Sequence, residues 1–95
     1  MIVSNKRKDT LMKAEQAVNG SREQDYGTPE QNFQTIADLW GAYKGVTFTA
    51  LDVSMMMALL KISRIKNGGG TGDSFVDLAG YAACGAELAD AAQKR

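Results

Sequence analysis

Apolar residues recur at helical spacing along most of this chain, and this periodicity constrains the fold more than any other feature. Counted from Phe33, the apolar residues Ile36, Ala37 and Trp40 lie three, four and seven positions further on, which places all four on one face of a helix. No segment shows the strict apolar–polar alternation that is typical of a half-buried strand. The sequence therefore predicts an all-α protein.

Capping and stop signals divide the chain into four predicted helices, at about residues 4–19, 28–43, 49–66 and 73–93. Thr28, Pro29 and Gln31 form a capping-box pattern at the second start, and Thr49 is the expected cap of the third helix. Chains divide into several cores only well above about 200 residues, so we expect one bundle-like domain over residues 1–95.

The third and fourth predicted helices have unusual surfaces. Apolar residues cover most of the circumference of the third helix, and alanine and glycine crowd the fourth. A helix that is apolar on nearly every side is buried in a bundle or lies at an interface. Self-association also buries further apolar surface in a small chain. We therefore expect a homo-oligomer formed through the third and fourth helices.

Composition excludes several classes of protein. Eleven Lys and Arg balance eleven Asp and Glu, which argues against non-specific nucleic-acid binding. The chain has no histidine, which excludes histidine-based triads and the usual zinc sites. The single cysteine, Cys84, fits a reducing cytoplasm, and no apolar run reaches the ~18 residues of a membrane span.

Four charged residues near the glycine-rich stretch that separates the third and fourth helices are candidates for a site. Asp73 and Asp77 lie one helical turn apart, so their carboxylates share a face and suit Mg²⁺ with waters and phosphate oxygens as further ligands. Lys61 and Arg64 lie three residues apart and suit a phosphate group. A structural ion pair between Asp77 and either cation is an alternative, and for Asp73 the alternative is a helix N-cap or first-turn acid.

Tyr26 and Asn32 flank the start of the second predicted helix. Asn32 offers a bidentate amide and Tyr26 offers a ring with a hydroxyl, groups that recognise a base or a sugar. We predict that both contact a ligand. The alternative is that Tyr26 is a packing residue and Asn32 a surface residue.

An ordered set of short motifs resembles a small protein family encoded mainly by tailed bacteriophages and prophages. The set spans roughly residues 15–87 and consists of Tyr26-Gly27, Asn32-Phe33, Ile36-Ala37, Trp40, Asp52-Val53, Met56-Met57, Lys61-Ile62-x-Arg64, Asp73 and Asp77-Leu78-Ala79-Gly80-Tyr81. The resemblance implies a phage protein that acts in the host cytoplasm.

More distantly, the chain is similar to the all-α MazG-like nucleotide pyrophosphatases, which hold Mg²⁺ with acidic residues on two helices and assemble as dimers or tetramers. By position, Asp73 and Asp77 correspond to the acidic pair of their later helix. The Glu-x-x-Glu pair of their earlier helix has no counterpart here. The resemblance therefore leaves open whether the chain is an enzyme; the activity it implies is a Mg²⁺-dependent nucleotide pyrophosphohydrolase.

Together, these observations predict a small helical protein that binds a nucleotide or another phosphorylated ligand, with Mg²⁺, with or without catalysis. The alternative function is a protein-binding inhibitor of a host factor, such as a bacterial anti-phage defence complex. The small size of the chain and its apolar third helix, which suits docking into a groove, motivate this alternative.

Overall fold

Four α-helices make up the fold, as the periodicity predicts, and the described residues contain no strand. The computed structural model describes residues 5–21, 24–25, 27–69 and 72–94. The helices are α1 (Lys6–Gln16), α2 (Pro29–Lys44), α3 (Ala50–Arg64) and α4 (Gly72–Gln93). Both α1 and α3 are followed by a kinked segment, at Ala17–Ser21 and Ile65–Gly69, where the backbone leaves the helical region at Gly20 and at Asn67 and Gly68.

Complete capping boxes start α2 and α3. The N–H of Gln31 donates to the Thr28 hydroxyl, and the N–H of Thr28 donates to the Gln31 side chain, both at 3.2 Å. The N–H of Asp52 donates to the Thr49 hydroxyl at 3.0 Å, and the N–H of Thr49 donates to the Asp52 carboxylate at 2.9 Å. These reciprocal bonds satisfy backbone donors that have no partner within the helix.

Two glycines shape the connection between α2 and α3. Gly45 ends α2 with φ +73°, and its N–H donates to the carbonyl of Gly41 at 2.8 Å. A Cβ atom at Gly41 would lie 2.7 Å from the carbonyl oxygen of Val46. The missing side chain at Gly41 therefore allows the connection to fold back closely over the end of α2.

The pairing of α3 with α4 forms the centre of the molecule. The two helices run antiparallel, because Ser54 contacts Tyr81 whereas Lys61, further along α3, contacts Asp77 earlier on α4. The Ser54 side chain is fully buried, and its hydroxyl donates to the carbonyl oxygen of Tyr81 at 2.6 Å. A Cβ atom at Gly85 would lie 3.4 Å from the Ser54 hydroxyl. The small residues of α4 therefore allow α3 to approach closely.

The buried core lies where α2 packs on the start of α3 and on the second half of α4. Its members are Phe33, Ala37, Ala50, Val53, Cys84 and Leu88. The ring of Phe33 lies against that of Tyr81, with the centroids 6.1 Å apart. On the first half of α4, α1 packs alongside, and a Cβ atom at Gly80 would lie 3.2 Å from Val18.

The four helices form an elongated molecule that measures 55 × 31 × 25 Å. Its radius of gyration is 14.7 Å, compared with about 12 Å for a typical globular chain of this length. Its accessible surface is 6842 Å², whereas a monomeric protein of 10.2 kDa exposes about 5300 Å². Helix packing within one chain therefore leaves an unusually large surface in contact with solvent.

Candidate ligand site at the charged end of α3 and α4

A lysine and an aspartate link the far end of α3 to the first half of α4. The Lys61 Nζ atom lies 2.9 Å from the Asp77 Oδ2 atom, and the two side chains are 12% and 44% exposed. Lys61 thus buries most of its stem while its ammonium group reaches a partly hydrated carboxylate. Of the two roles that the sequence leaves open for Asp77, the structure shows the ion pair.

The antiparallel register places two further charges beside this pair. Arg64 lies three residues beyond Lys61 on α3, and Asp73 lies four residues before Asp77 on α4, so both are at the same end of the helix pair. Both side chains are exposed, and neither forms an ion pair with another described residue. We call these four residues the charged end; it carries two cations and two carboxylates.

The carboxylates of the charged end limit the kind of metal that it can hold. In the part of the chain that the structure describes, no three Asp, Glu, Cys or His residues are grouped closely enough to bind a metal. Mg²⁺ usually keeps several waters and binds through one or two carboxylates together with phosphate oxygens. Asp73 and Asp77 therefore suit a Mg²⁺ ion that is also held by a phosphorylated ligand, and they do not form a complete metal site alone.

Asn32 and Tyr26, the other predicted ligand-binding residues, are not part of the charged end as described. Asn32 is half-buried beside Phe33, in the part of α2 that packs on Val53 at the start of α3. Lys61 follows Val53 by eight residues, about 12 Å along a helix, and no described contact joins it to Asn32. Tyr26 lies outside the described residues.

Three grooves formed by described residues lie elsewhere on the surface. The first, about 470 Å³, follows α1 past Arg7, Leu11 and Met12. The second, about 400 Å³, lies between the starts of α2 and α3 and the end of α4. The third, about 240 Å³, adjoins Val18 and Cys84. None of the three is lined by a residue of the charged end.

Two features of the structure are not predicted from the sequence. The first is the buried Ser54 hydroxyl, whose only signal was a polar residue inside an apolar helix. The second is which side of α3 the neighbouring helices leave uncovered among the described residues. Its large apolar side chains, here called the outer face of α3, are 39–63% exposed and consist of Met55, Met56, Leu59, Leu60 and Ile62.

Exposed ion pairs elsewhere on the surface have a local role. On α1, the Lys13 ammonium lies 3.2 Å from the Asp9 carboxylate, and its hydrogen bond lowers the pKa of Asp9 below the usual value. Exposed pairs of this kind contribute little to stability, because water and salt screen them.

The fold and surface define a small all-α protein with a mixed-charge end and an exposed apolar helix face. A family model, a domain of unknown function called DUF6378, matches residues 9–89, and the chain belongs to this family. The Gene 55 protein of Mycobacterium phage L5 is 55% identical over 73 residues, which cover 76% of this chain and 47% of that protein. The Gene 55 protein of Mycobacterium phage D29 is 42% identical over 74 residues, or 78% of this chain and 49% of that protein.

The chain thus spans about half the length of these two curated relatives. The comparisons confirm the predicted relation to a bacteriophage protein family, while the similarity to MazG-like enzymes stays a prediction. No solved structure matches the chain. Within the described residues, no helix has the length and apolar character needed to cross a membrane.

Proposed function

We propose that this protein binds a nucleotide or a similar phosphorylated ligand, together with Mg²⁺, at the charged end of α3 and α4. The observation that supports the proposal is the antiparallel register of the two helices, which brings Lys61 into contact with Asp77. This register gathers a largely buried cation, an exposed cation and two carboxylates at one end of the pair, and these groups suit phosphate and its counterion.

Each residue of the charged end has a distinct part in this proposal. The exposed Arg64 guanidinium is free to donate two hydrogen bonds to one phosphate group. Lys61 holds the Asp77 carboxylate in position, and Asp73 and Asp77 together provide oxygen ligands for Mg²⁺. The metal, when bound, supplies charge neutralisation of the phosphates and orients water.

Binding without turnover is the form of the proposal that the residues favour. The MazG-like enzymes need a second acidic pair on the earlier helix, and this chain has none at that position. We further propose that the protein acts as a homo-oligomer in the host cytoplasm.

Titration with a panel of nucleotides in the presence of Mg²⁺ tests the proposal. A ligand present at 100 times its Kd stabilises the folded state by about 2.7 kcal/mol, which raises the Tm of a chain this size by roughly 10 °C or more. Arg64→Ala removes a charge-assisted hydrogen bond and is expected to weaken binding by about 10-fold or more in isothermal titration. Because Arg64 is exposed, the fold is expected to persist in this variant.

Lys44→Ala is the matched control, since Lys44 is also an exposed cation in the last turn of a helix. It is expected to bind like the wild-type protein. The absence of binding at millimolar nucleotide, or equal affinities for Arg64→Ala and wild type, would refute the proposal.

A second candidate function, the binding of a host protein, has support from a different surface. On α1, Leu11 and Met12 are half exposed or more and line the 470 Å³ groove beside Arg7 and Lys8. Exposed apolar groups rimmed by polar ones are typical of protein-binding sites. A component of an anti-phage defence complex is the class of partner proposed for this surface.

Affinity capture from host lysate tests this second function. We expect a stoichiometric host protein to be retained by the wild-type chain and lost with Leu11→Asp, because a charge would enter the apolar contact. Leu39→Asp, an equally exposed site on α2, is the control and should retain the partner. Retention by Leu11→Asp, or no partner at all, would count against the groove on α1.

A further inference from the structure

The outer face of α3 is wide and mostly apolar, with the exposed Ser63 between Leu59 and Met56. At 100° per residue, the positions from Ile62 through Leu59 to Leu60 span about 160° of the helix circumference. The opposite side of α3 faces α4 through the buried Ser54, and a third side faces α2 through Val53. The middle of the outer face, at Leu59, has no partner helix among the described residues. At its edges, Met55 reaches Gly85 of α4, and Leu60 lies seven residues from Val53, on the side that faces α2.

The amount of exposed surface is more than one standard interface needs. The chain exposes roughly 1500 Å² more than the about 5300 Å² typical of a monomer of its mass. A standard protein–protein interface removes about 800 Å² from each partner. One helix–helix interface of ordinary size would thus account for much of the excess.

Charges at the two ends of the outer face are complementary to each other. Asp52 lies seven residues before Leu59 and Lys66 lies seven residues after it, and seven residues are almost two complete helical turns. All three side chains are exposed. Asp52 and Leu59 lie along one line on α3, and Lys66 lies just beyond the end of α3, before the kink at Asn67. Asp52 uses one carboxylate oxygen in the capping box, which leaves the other available, and Lys66 forms no ion pair with another described residue.

We infer that the outer face of α3 binds the same face of a second copy of this chain, with the two α3 helices antiparallel and the symmetry axis at Leu59. In this register, Leu59 meets Leu59 of the partner subunit, and Asp52 meets Lys66 of the partner subunit on each side. A two-fold interface must be self-complementary. This face satisfies the requirement in both its apolar centre and its charged ends. Because the formal net charge of the chain is zero, two copies do not repel each other through their net charge.

This inference gives a surface and a register to the homo-oligomer proposed above. The charged end lies on the side of α3 that faces α4, so dimer formation and ligand binding use separate groups. The two proposals can therefore fail independently. A monomer that binds nucleotide would refute the interface alone, and a dimer that binds no nucleotide would refute the ligand site alone.

Light scattering after gel filtration tests the interface with the full chain. The wild-type protein is expected to show twice the 10.2 kDa mass of the chain at micromolar concentration. Leu59→Glu places two like charges at the symmetry axis and is expected to raise the dissociation constant by about 100-fold or more. Leu39→Glu is the matched control, because Leu39 and Leu59 are 65% and 63% exposed, and it is expected to remain dimeric.

Charge exchange tests the register. Lys66→Glu places an acid against Asp52 of the partner subunit and is expected to weaken the dimer, whereas Lys66→Arg keeps the charge and is expected to leave the dissociation constant unchanged. In addition, Leu59→Cys is expected to form a covalent dimer under mild oxidation, whereas Leu39→Cys is not. A monomeric wild type, equal dissociation constants for Leu59→Glu and Leu39→Glu, or equal dissociation constants for Lys66→Glu and Lys66→Arg would overturn the inference.

Discussion

Replacing Phe33 with alanine is expected to lower the free energy of unfolding by about 3–5 kcal/mol. Phe33 is 4% exposed and is the largest of the core residues that join α2, α3 and α4. Its ring also packs on Tyr81, a contact that alanine cannot replace. A domain of this length is stable by only ~5–14 kcal/mol in total, so the loss removes a large fraction of its stability.

Urea unfolding measured by circular dichroism and by the fluorescence of Trp40 checks this prediction. Leu39→Ala is the control, because Leu39 lies on the same helix but is mostly exposed, and we expect it to cost less than about 1 kcal/mol. If Phe33→Ala is no more destabilising than Leu39→Ala, the packing of α2 on α3 and α4 described above is wrong. Equal urea dependence (m values) in the two variants would show that both start from the same folded state.

The helix starts were predictable because their determinants are local. Thr28 and Gln31, like Thr49 and Asp52, lie three residues apart, so their reciprocal hydrogen bonds depend only on the turn that contains them. The turn at Gly68 is local in the same way, because φ is +81° there and glycine adopts this conformation without strain.

The charged end was predictable only in part. The spacing of Lys61 with Arg64, and of Asp73 with Asp77, places each pair on one side of its own helix. The 2.9 Å contact of Lys61 with Asp77 depends instead on the register between two helices. That register is set by contacts such as Ser54 with Tyr81, which are 27 residues apart in sequence. The distance between Asn32 and Lys61 also depends on how separate helices pack, so their spacing in the sequence could not predict it.

The outer face of α3 shows a different limit of sequence reasoning. Periodicity reports which positions of a helix are apolar, but it does not report how many neighbouring helices cover them. The apolar pattern of α3 left open whether this helix is buried in a bundle or lies at an interface, and among the described residues α2 and α4 cover only part of its circumference. A helix buried within its own chain and a helix buried by a second copy have the same apolar pattern.

Replacing Gly85 with leucine is expected to destabilise the fold by about 3 kcal/mol, because the α3–α4 contact has no room for a large side chain there. A Cβ atom at Gly85 would lie 2.6 Å from the Met55 Cε atom and 3.4 Å from the Ser54 hydroxyl. Displacing Ser54 would also break its hydrogen bond to the carbonyl of Tyr81. Gly85→Ala should be nearly neutral, since the flexible end of Met55 can move and alanine favours the helix by about 1 kcal/mol.

Ala86→Leu is the matched control for the packing effect. Ala86 is next to Gly85 on the same helix but is exposed, so a leucine there does not enter the α3–α4 contact. It is expected to change the free energy of unfolding by less than about 0.5 kcal/mol in urea denaturation. Met55 belongs to the outer face of α3, so a leucine that displaces it is also expected to weaken the proposed dimer. If Gly85→Leu and Ala86→Leu are equally stable, α3 and α4 are further apart than their contacts indicate. A helix pair at the distance described here cannot accept the four extra carbon atoms of leucine at Gly85 without moving.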